Sequence, residues 1–185
     1  ADVDGDNDGD ILVEAVADLQ LFKNGGGLNF TLQPSIAIAG YASEIFTGFF
    51  NADGVRDLVV AVESDGIKSL MGNGNGTYRP YNAYSAYGEP RSACLADFDN
   101  DGRADIIACN YTQDNIAFAK GQTDGSFGPF ELRAGAAASG IALGNFNNDT
   151  LPDLITANYN ATNAAILLSN ANGTFQPTQF DSCVT

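Results

Sequence analysis

A nine-residue acidic pattern returns four times along this chain, nearly in step, and each return is followed by an apolar run. The fullest copies are Asp2-Val3-Asp4-Gly5-Asp6-Asn7-Asp8-Gly9-Asp10 before Ile11-Leu12-Val13, and Asp97-Phe98-Asp99-Asn100-Asp101-Gly102-Arg103-Ala104-Asp105 before Ile106-Ile107-Ala108. A third, Asn145-Phe146-Asn147-Asn148-Asp149-Thr150-Leu151-Pro152-Asp153, precedes Leu154-Ile155. A worn copy, Phe49-Phe50-Asn51-Ala52-Asp53-Gly54-Val55-Arg56-Asp57, precedes Leu58-Val59-Val60. The closing aspartates Asp10, Asp57, Asp105 and Asp153 fall 47, 48 and 48 residues apart. A period of that size implies a repeat architecture, in which each unit is one supersecondary element that cannot bury its apolar face alone.

Each period reads as short strands separated by Gly/Asn turns. In the third unit, strands are expected at 93–96, 105–110, 116–120 and 127–132, with a turn at 122–126. The fourth repeats this at 140–143, 153–158, 164–169 and 175–180. The second offers 58–62, 66–71 and 78–81, and the first 11–16, 19–23 and 30–32. No segment keeps a helical period. The fold class expected is all-β, a β-propeller of four roughly 48-residue, four-stranded blades forming a single repeat domain. The units span about residues 1–44, 45–92, 93–140 and 141–185.

The first unit starts at its acidic loop with no strand before it. Written head to tail, Ser182-Cys183-Val184-Thr185-Ala1-Asp2 aligns without a gap on Ser92-Ala93-Cys94-Leu95-Ala96-Asp97. The last residues therefore look like the strand that the first unit lacks. That strand closes a small ring if it comes from the same chain, and builds an oligomer or filament if it comes from a neighbour. The third reading is one stretch of a longer array.

Carboxylates at loop positions 1, 3 and 5 converge because a tight turn folds them toward its centre. A glycine at position 6 supplies the positive φ, position 7 adds a backbone carbonyl, and the carboxylate at position 9 closes the cage. Six or seven hard oxygens suit Ca²⁺, whereas Zn²⁺ wants Cys and His. An EF-hand is excluded, because position 12 is Val13, Ala108 or Thr156 where that motif needs Glu. The ligands expected are Asp2, Asp4, Asp6, Asp8 and Asp10 in the first loop, and Asp97, Asp99, Asp101, Arg103 and Asp105 in the third. Asp8 and Arg103 serve through their backbone carbonyls. Four side-chain carboxylates per cage make these two the strong sites. In the fourth loop Asn145, Asn147, Asp149, the Leu151 carbonyl and Asp153 form a weaker site, with Thr150 where glycine is preferred. In the second, Phe49 replaces the first ligand; Asn51, Asp53 and Asp57 remain, as compatible with an empty loop as with a filled one.

The formal net charge is -15, and 13 of the 18 aspartates lie in the four loops, so the acidity reads as ligands for cations. Eight Lys and Arg against 23 acids exclude a nucleic-acid partner. No apolar run is long enough for a membrane span, and no leader segment opens the chain, which reads as mature or excised. With no histidine there is no imidazole base and no Ser-His or Cys-His pair, so an enzyme is not expected. Cys94 and Cys109 flank the third loop nearly opposite each other, as a disulfide or as two buried thiols; Cys183 is left over. Sequons at Asn29, Asn75, Asn110, Asn148, Asn160 and Asn172 point to a secreted glycoprotein. The segment 78–87 holds four of the seven tyrosines. It reads either as a contact surface or as packing by Tyr78 and Tyr81 between blades, with Tyr84 and Tyr87 on a loop.

At these residues the sequence resembles the FG-GAP/VCBS repeat family, the integrin-like β-propeller repeats. The resemblance is carried by the acidic loop with its apolar run and by a downstream turn-aromatic element. That element is Gly74-Asn75-Gly76-Thr77-Tyr78, Asp124-Gly125-Ser126-Phe127-Gly128-Pro129 and Asn172-Gly173-Thr174-Phe175-Gln176-Pro177. The resemblance implies four-stranded blades, calcium on the loop joining the first two strands, and extracellular or cell-surface adhesion or recognition. Family propellers usually have about seven blades, against four units here. The function expected is a calcium-stabilised adhesion or structural protein that partners itself, an extracellular protein or a glycan. A lectin-type propeller and a fragment of a longer integrin-like protein are the alternatives. The Trp sugar-pocket motifs of some propeller lectins are absent.

Overall fold

The structure is a computed structural model that describes residues 1–63, 65–110, 115–134, 138–158, 163–176 and 179–182. It is all-β. Strands β1 (Ile11–Ala15), β2 (Asp18–Asn24), β3 (Phe30–Leu32) and β4 (Ile36–Ala37) form the first sheet, and β5 (Ala42–Gly48), β6 (Asp57–Val62), β7 (Gly66–Leu70) and β8 (Asn82–Tyr84) the second. The third holds β9 (Pro90–Ala96), β10 (Asp105–Asn110), β11 (Asn115–Ala119) and β12 (Glu131–Ala134). The fourth holds β13 (Ala138–Gly144), β14 (Asp153–Asn158), β15 (Asn163–Leu167) and β16 (Gln179–Ser182). Every pairing is antiparallel, and each of the last three sheets is a meander.

The core lies between consecutive sheets. Leu58, Val60 and Val62 of β6 pack with Leu19 and Ile38 of the first unit, while Val59 and Ala61 face Ile106 and Ala108 of β10. Ile107 and Cys109 on the other face of β10 pack with Leu154 and Leu167 of the fourth sheet. Strands buried on both faces show continuous apolar runs, which is how Leu58-Val59-Val60 and Ile106-Ile107-Ala108 read in the sequence. The outer sheets are covered on one face only. In the first, Ile11 and Val13 are 45% and 39% exposed; in the fourth, Ala157 is exposed and Ile155 and Ile166 are half-buried.

The first strands β5, β9 and β13 lie side by side. Glu44 ties two of them, accepting from Ser92 Oγ and the Ala93 N–H at 2.9 Å each; Ser92 Oγ in turn accepts the Ile141 N–H at 3.3 Å. Ala1 exchanges both backbone hydrogen bonds with Asp10, at 2.7 and 3.0 Å. It thus takes the place that Gly48, Ala96 and Gly144 hold against Asp57, Asp105 and Asp153. Of the C-terminal segment expected to supply the first unit's missing strand, Asp181 and Ser182 belong to β16 and pair with Ala164 and Asn163. Residues 183–185, with Cys183, lie outside the described residues.

The first unit's strand at 30–32 lies where expected, as β3, but the fourth strands of the other three units sit later than expected. After each turn the aromatic residue makes one isolated bridge (Tyr78 with Gly72, Phe127 with Gly121, Phe175 with Ser169) and leaves the sheet toward the core. The next residue closes the turn: Arg79, Gly128 and Gln176 donate to Met71, Lys120 and Leu168, as Gln33 does to Leu21. A proline follows in all four units (Pro34, Pro80, Pro129, Pro177). Lacking an N–H, it cannot extend the ladder, so the strand resumes only beyond it. Strand β5 and the short β4 were not anticipated.

The turn itself packs the sheets together. Gly125 and Gly173 have φ of +82° and +74°, and a Cβ on them would meet Met71 Sδ and the Phe118 ring of the preceding sheet at 2.5 Å. Tyr78 and Tyr81 pack against the core between the first two sheets as expected. Tyr84 does not decorate a loop. It stacks edge-on against Phe127 at 5.8 Å between the second and third sheets, leaving Tyr87 exposed. Cys94 and Cys109 are buried free thiols on the same face; the register pairs Cys94 with Ile107 and Cys109 with Ser92, two residues away from being opposite. Burial pushes the Cys109 thiol up to about 12, and Cys94 likewise upward.

Candidate metal centre

The second, third and fourth acidic loops join the first and second strands of their units, and the first leads from Ala1 into β1 at the equivalent place. Their common element is the aspartate at position 9. It is buried in all four, with one oxygen accepting the N–H of position 2 and the other an N–H at the end of the third strand. Asp10 holds Val3 and Asn24, both at 2.8 Å; Asp57 holds Phe50 at 3.1 and Gly72 at 2.9 Å. Asp105 holds Phe98 at 3.0 and Gly121 at 2.9 Å; Asp153 holds Phe146 at 2.8 and Ser169 at 2.9 Å. The worn second loop keeps this anchor intact, so the residue has a structural duty independent of any cation. Burial raises the Asp57 and Asp105 carboxyls above the ordinary value, against the lowering by their two amides.

The cages differ as the ligand inventory implies. In the first loop Asp2 accepts from Gly5 at 2.8 and Asn7 at 3.1 Å; in the third, Asp97 accepts from Asp101 at 3.0 and Gly102 at 2.8 Å. Positions 4 and 6 are both left-handed in these two loops: Gly5 and Asn7, Asn100 and Gly102. The carboxylates of Asp2, Asp4 and Asp10, and those of Asp97, Asp99 and Asp105, each offer oxygens within 4.8 Å of one another. Asp6 and Asp101 stand beside them at position 5. In the second loop only position 6, Gly54, is left-handed, and the Phe49 ring at position 1 stacks under the Arg56 guanidinium at 4.8 Å. In the fourth only position 4, Asn148, is left-handed, and Thr150 is not. Its amides turn inward: Asn145 Nδ2 donates to the Asp149 carbonyl and Asn147 Nδ2 to the Asp149 carboxylate, the latter at 2.7 Å. Asn51 and Asp53 are held by local turns, their oxygens accepting from Asp53 and Val55 at 2.8 and 2.9 Å. Asp8 and Leu151 donate to position 5 through their own N–H, and Arg103 does the same while its Nε reaches the Gly121 carbonyl.

The residues of the first and third loops fit a hard divalent cation. Asp4 is the sharpest indication: its side chain is 2% exposed, Oδ1 has no hydrogen-bond partner, and Oδ2 meets only the ammonium of Lys23. A buried carboxylate needs positive charge beside it, and a single lysine leaves one of its oxygens free for a cation. A cation there would be held by Asp2, Asp4, Asp6 and Asp10, or by Asp97, Asp99, Asp101 and Asp105, and would supply charge neutralisation and a rigid loop. Sequence reasoning missed Lys23 and Lys120, whose ammonium groups lie against Asp4 and Asp99. Those carboxylates raise both lysines above the ordinary value. The only signal for them was strand register.

Four antiparallel sheets stacked face to face, with acidic loops at equivalent edges, define a propeller-type repeat protein. Residues 50–108 and 97–156 match the FG-GAP-like repeat, and the chain belongs to that family. No curated protein matches the sequence. Among solved structures it resembles an Agrocybe aegerita lectin described as recognising non-reducing terminal N-acetylglucosamine, with 21% identity and a TM-score of 0.66. That match covers 97% of this chain and 50% of the lectin. It also resembles BBS1N in its complex with ARL6DN, at 10% identity and a TM-score of 0.66, over 98% of this chain and 51% of the other. At these identities the likeness is one of fold. The chain spans about half the length of each.

Of the sequons, Asn29, Asn75, Asn148 and Asn172 are exposed. Asn110 is not available as an acceptor in the folded chain: it is fully buried, and its Nδ2 donates to the Ala86 carbonyl and Asn115 Oδ1 at 2.9 and 2.8 Å. Asn160 lies outside the described residues. In the turns, Asn75 and Asn172 accept from the backbone and hydroxyl of Thr77 and Thr174, as Asp124 does from Ser126, so the N-G-T spelling is also turn chemistry. Among the described residues no helix is long and apolar enough to cross a membrane.

Proposed function

We propose that the chain is a non-catalytic, calcium-stabilised set of propeller blades that serves extracellular adhesion or assembly by stacking on further blades of the same kind. The observation that carries this reading is the contrast between inner and outer sheets. The two middle sheets bury both faces, while the first and fourth each leave an apolar face uncovered. At position 2 of the loops the last unit stands apart. Phe98 is fully buried, with Phe175 of the next unit edge-on at 6.0 Å, whereas Phe146 of the last unit is 45% exposed. An uncovered acceptor face at one end and an uncovered donor face at the other make a head-to-tail interface, which closes a ring or propagates a filament. Two copies would match the length of the neighbouring folds, of which this chain covers half. Calcium in the first and third loops would rigidify the edges where the turn of one unit docks on the loop of the preceding one, as the Gly173 N–H does on the Phe98 carbonyl at 3.3 Å.

Light scattering across a concentration series, in calcium and then in excess chelator, tests this. The expected result is a calcium-dependent dimer or larger species. A monomer at every concentration in calcium refutes self-assembly. A second reading, glycan binding, is favoured by a groove of about 500 Å³ between the first two units, lined by Gln33, Ser35, Tyr78, Arg79 and Tyr81. The fold it shares with the N-acetylglucosamine-recognising lectin supports the same reading. A monomer that binds glycans would favour that reading.

A further inference from the structure

Two of the three lysines in the chain stand at the two carboxylate-rich loops. Their placement follows strand register. Ile11 faces Phe22, so Lys23 lies one step on, across from Asp10; Ile106 faces Ala119, so Lys120 lies one step on, across from Asp105. The hairpins differ in length, Lys23 following Asp10 by 13 positions and Lys120 following Asp105 by 15, yet the two lysines reach the same place. In the loops with two carboxylates the same register position is apolar. Leu58 faces Leu70 and is followed by Met71; Leu154 faces Leu167 and is followed by Leu168. A lysine thus accompanies four carboxylates, and an apolar residue accompanies two.

The contacts agree with the register. Lys23 Nζ forms ion pairs with Asp4 and, at 3.8 Å, with Asp6; Lys120 Nζ is 2.5 Å from Asp99 Oδ2. Asp4 and Asp99 are 2% and 5% exposed, and these ammonium groups meet their charge. We infer that Lys23 and Lys120 are tethered counter-ions of the two cages, each holding the cation's place in the metal-free chain and swinging out when the cation binds. The inference rests on the calcium reading above. Four carboxylates converging without a cation would repel one another and loosen the loop. A lysine on a flexible stem neutralises part of that charge, then withdraws to water, since an ammonium and a divalent cation repel at this range. The lysines thereby keep the cation-free loops folded and weaken calcium binding.

The test uses the full chain with Lys23→Met, Lys120→Met and the double variant, methionine being the residue that the second unit has at this position. Calorimetric titration with calcium is expected to show binding roughly tenfold tighter per altered site, as removal of a nearby like charge at a partly solvated position implies. The thermal midpoint in excess chelator should fall. In wild-type chain carrying ¹³C-lysine, the Cε signals of Lys23 and Lys120 should move on calcium addition, while that of Lys68, buried beside Asp65 and Tyr81, stays in place. This second measurement stands even if a variant fails to fold without calcium. Unchanged or weaker calcium affinity in the variants, or static Lys23 and Lys120 signals, overturns the lysine role and leaves the calcium reading intact. No calcium binding by the wild type overturns both.

Discussion

Replacing Asp57 and Asp101 separates the two jobs that this loop pattern combines. Asp57→Ala strips a fully buried carboxylate that accepts the Phe50 N–H at 3.1 Å and the Gly72 N–H at 2.9 Å. A hydrogen bond to a charged acceptor contributes ~1.5–3 kcal/mol, and a buried N–H left without a partner costs about 1–3 kcal/mol. The loss should be about 3–5 kcal/mol, a urea midpoint shift of roughly 1–2 M for a chain of this size. Because Phe49 occupies the first ligand position, the loss should be equal in calcium and in chelator. Asp101→Ala removes an exposed position-5 carboxylate that binds the Arg103 N–H at 3.0 Å and its guanidinium. It should cost under about 1 kcal/mol in chelator. In saturating calcium it should cost about 1.4 kcal/mol more for each tenfold of affinity lost. Asp105→Ala should show both losses, since that residue anchors Phe98 and Gly121 and also faces the cage. Unfolding is followed by far-UV circular dichroism and tyrosine fluorescence, whose coincidence checks that the sheets unfold as one unit. A loss below about 1 kcal/mol for Asp57→Ala would refute the anchoring role. Equal losses in both buffers for Asp101→Ala would refute the metal role.

Two further results are expected. Cys94 and Cys109 should resist alkylation in the native chain at pH 8, with Cys109 pushed up to about 12, and both should react on denaturation; mass mapping of native labelling at either site would contradict their burial. Gly125→Ala should destabilise by about 1–3 kcal/mol, because its Cβ would lie 2.5 Å from Met71 Sδ at a φ of +82°. A urea midpoint within error of wild type would show that the turn does not press on the preceding sheet.

The repeat period, the strand that follows each loop and the inequality of the four cages were legible in the sequence. They are local properties: Asp spacing, a glycine at position 6 and an apolar run are all read within a dozen residues. Thr150, placed where glycine is preferred, is indeed outside the left-handed region, and Phe49 does remove a ligand from its loop. The fourth strands of the last three units were misplaced, although Pro80, Pro129 and Pro177 marked where pairing must stop. The aromatic residues before them looked like strand and serve instead as plugs between sheets. The disulfide option at Cys94 and Cys109 failed for a similar reason. Sequence distance from the loop gave their approximate level, but the pairing places them diagonally.

By itself the sequence determined that the chain is all-β, repeats four times and carries two complete acidic cages, because hydrogen-bonding turns and strand alternation are short-range. Only the tertiary structure decided what the closing aspartates hold, which cations face the cages and which sheet faces stay uncovered. Asp10 meets Asn24, and Asp105 meets Gly121, through registers that span hairpins of unequal length. The uncovered faces of the first and fourth sheets exist only once the two between them have packed. Such neighbours are set by cross-strand pairing and by stacking, and no local spacing along the chain encodes them.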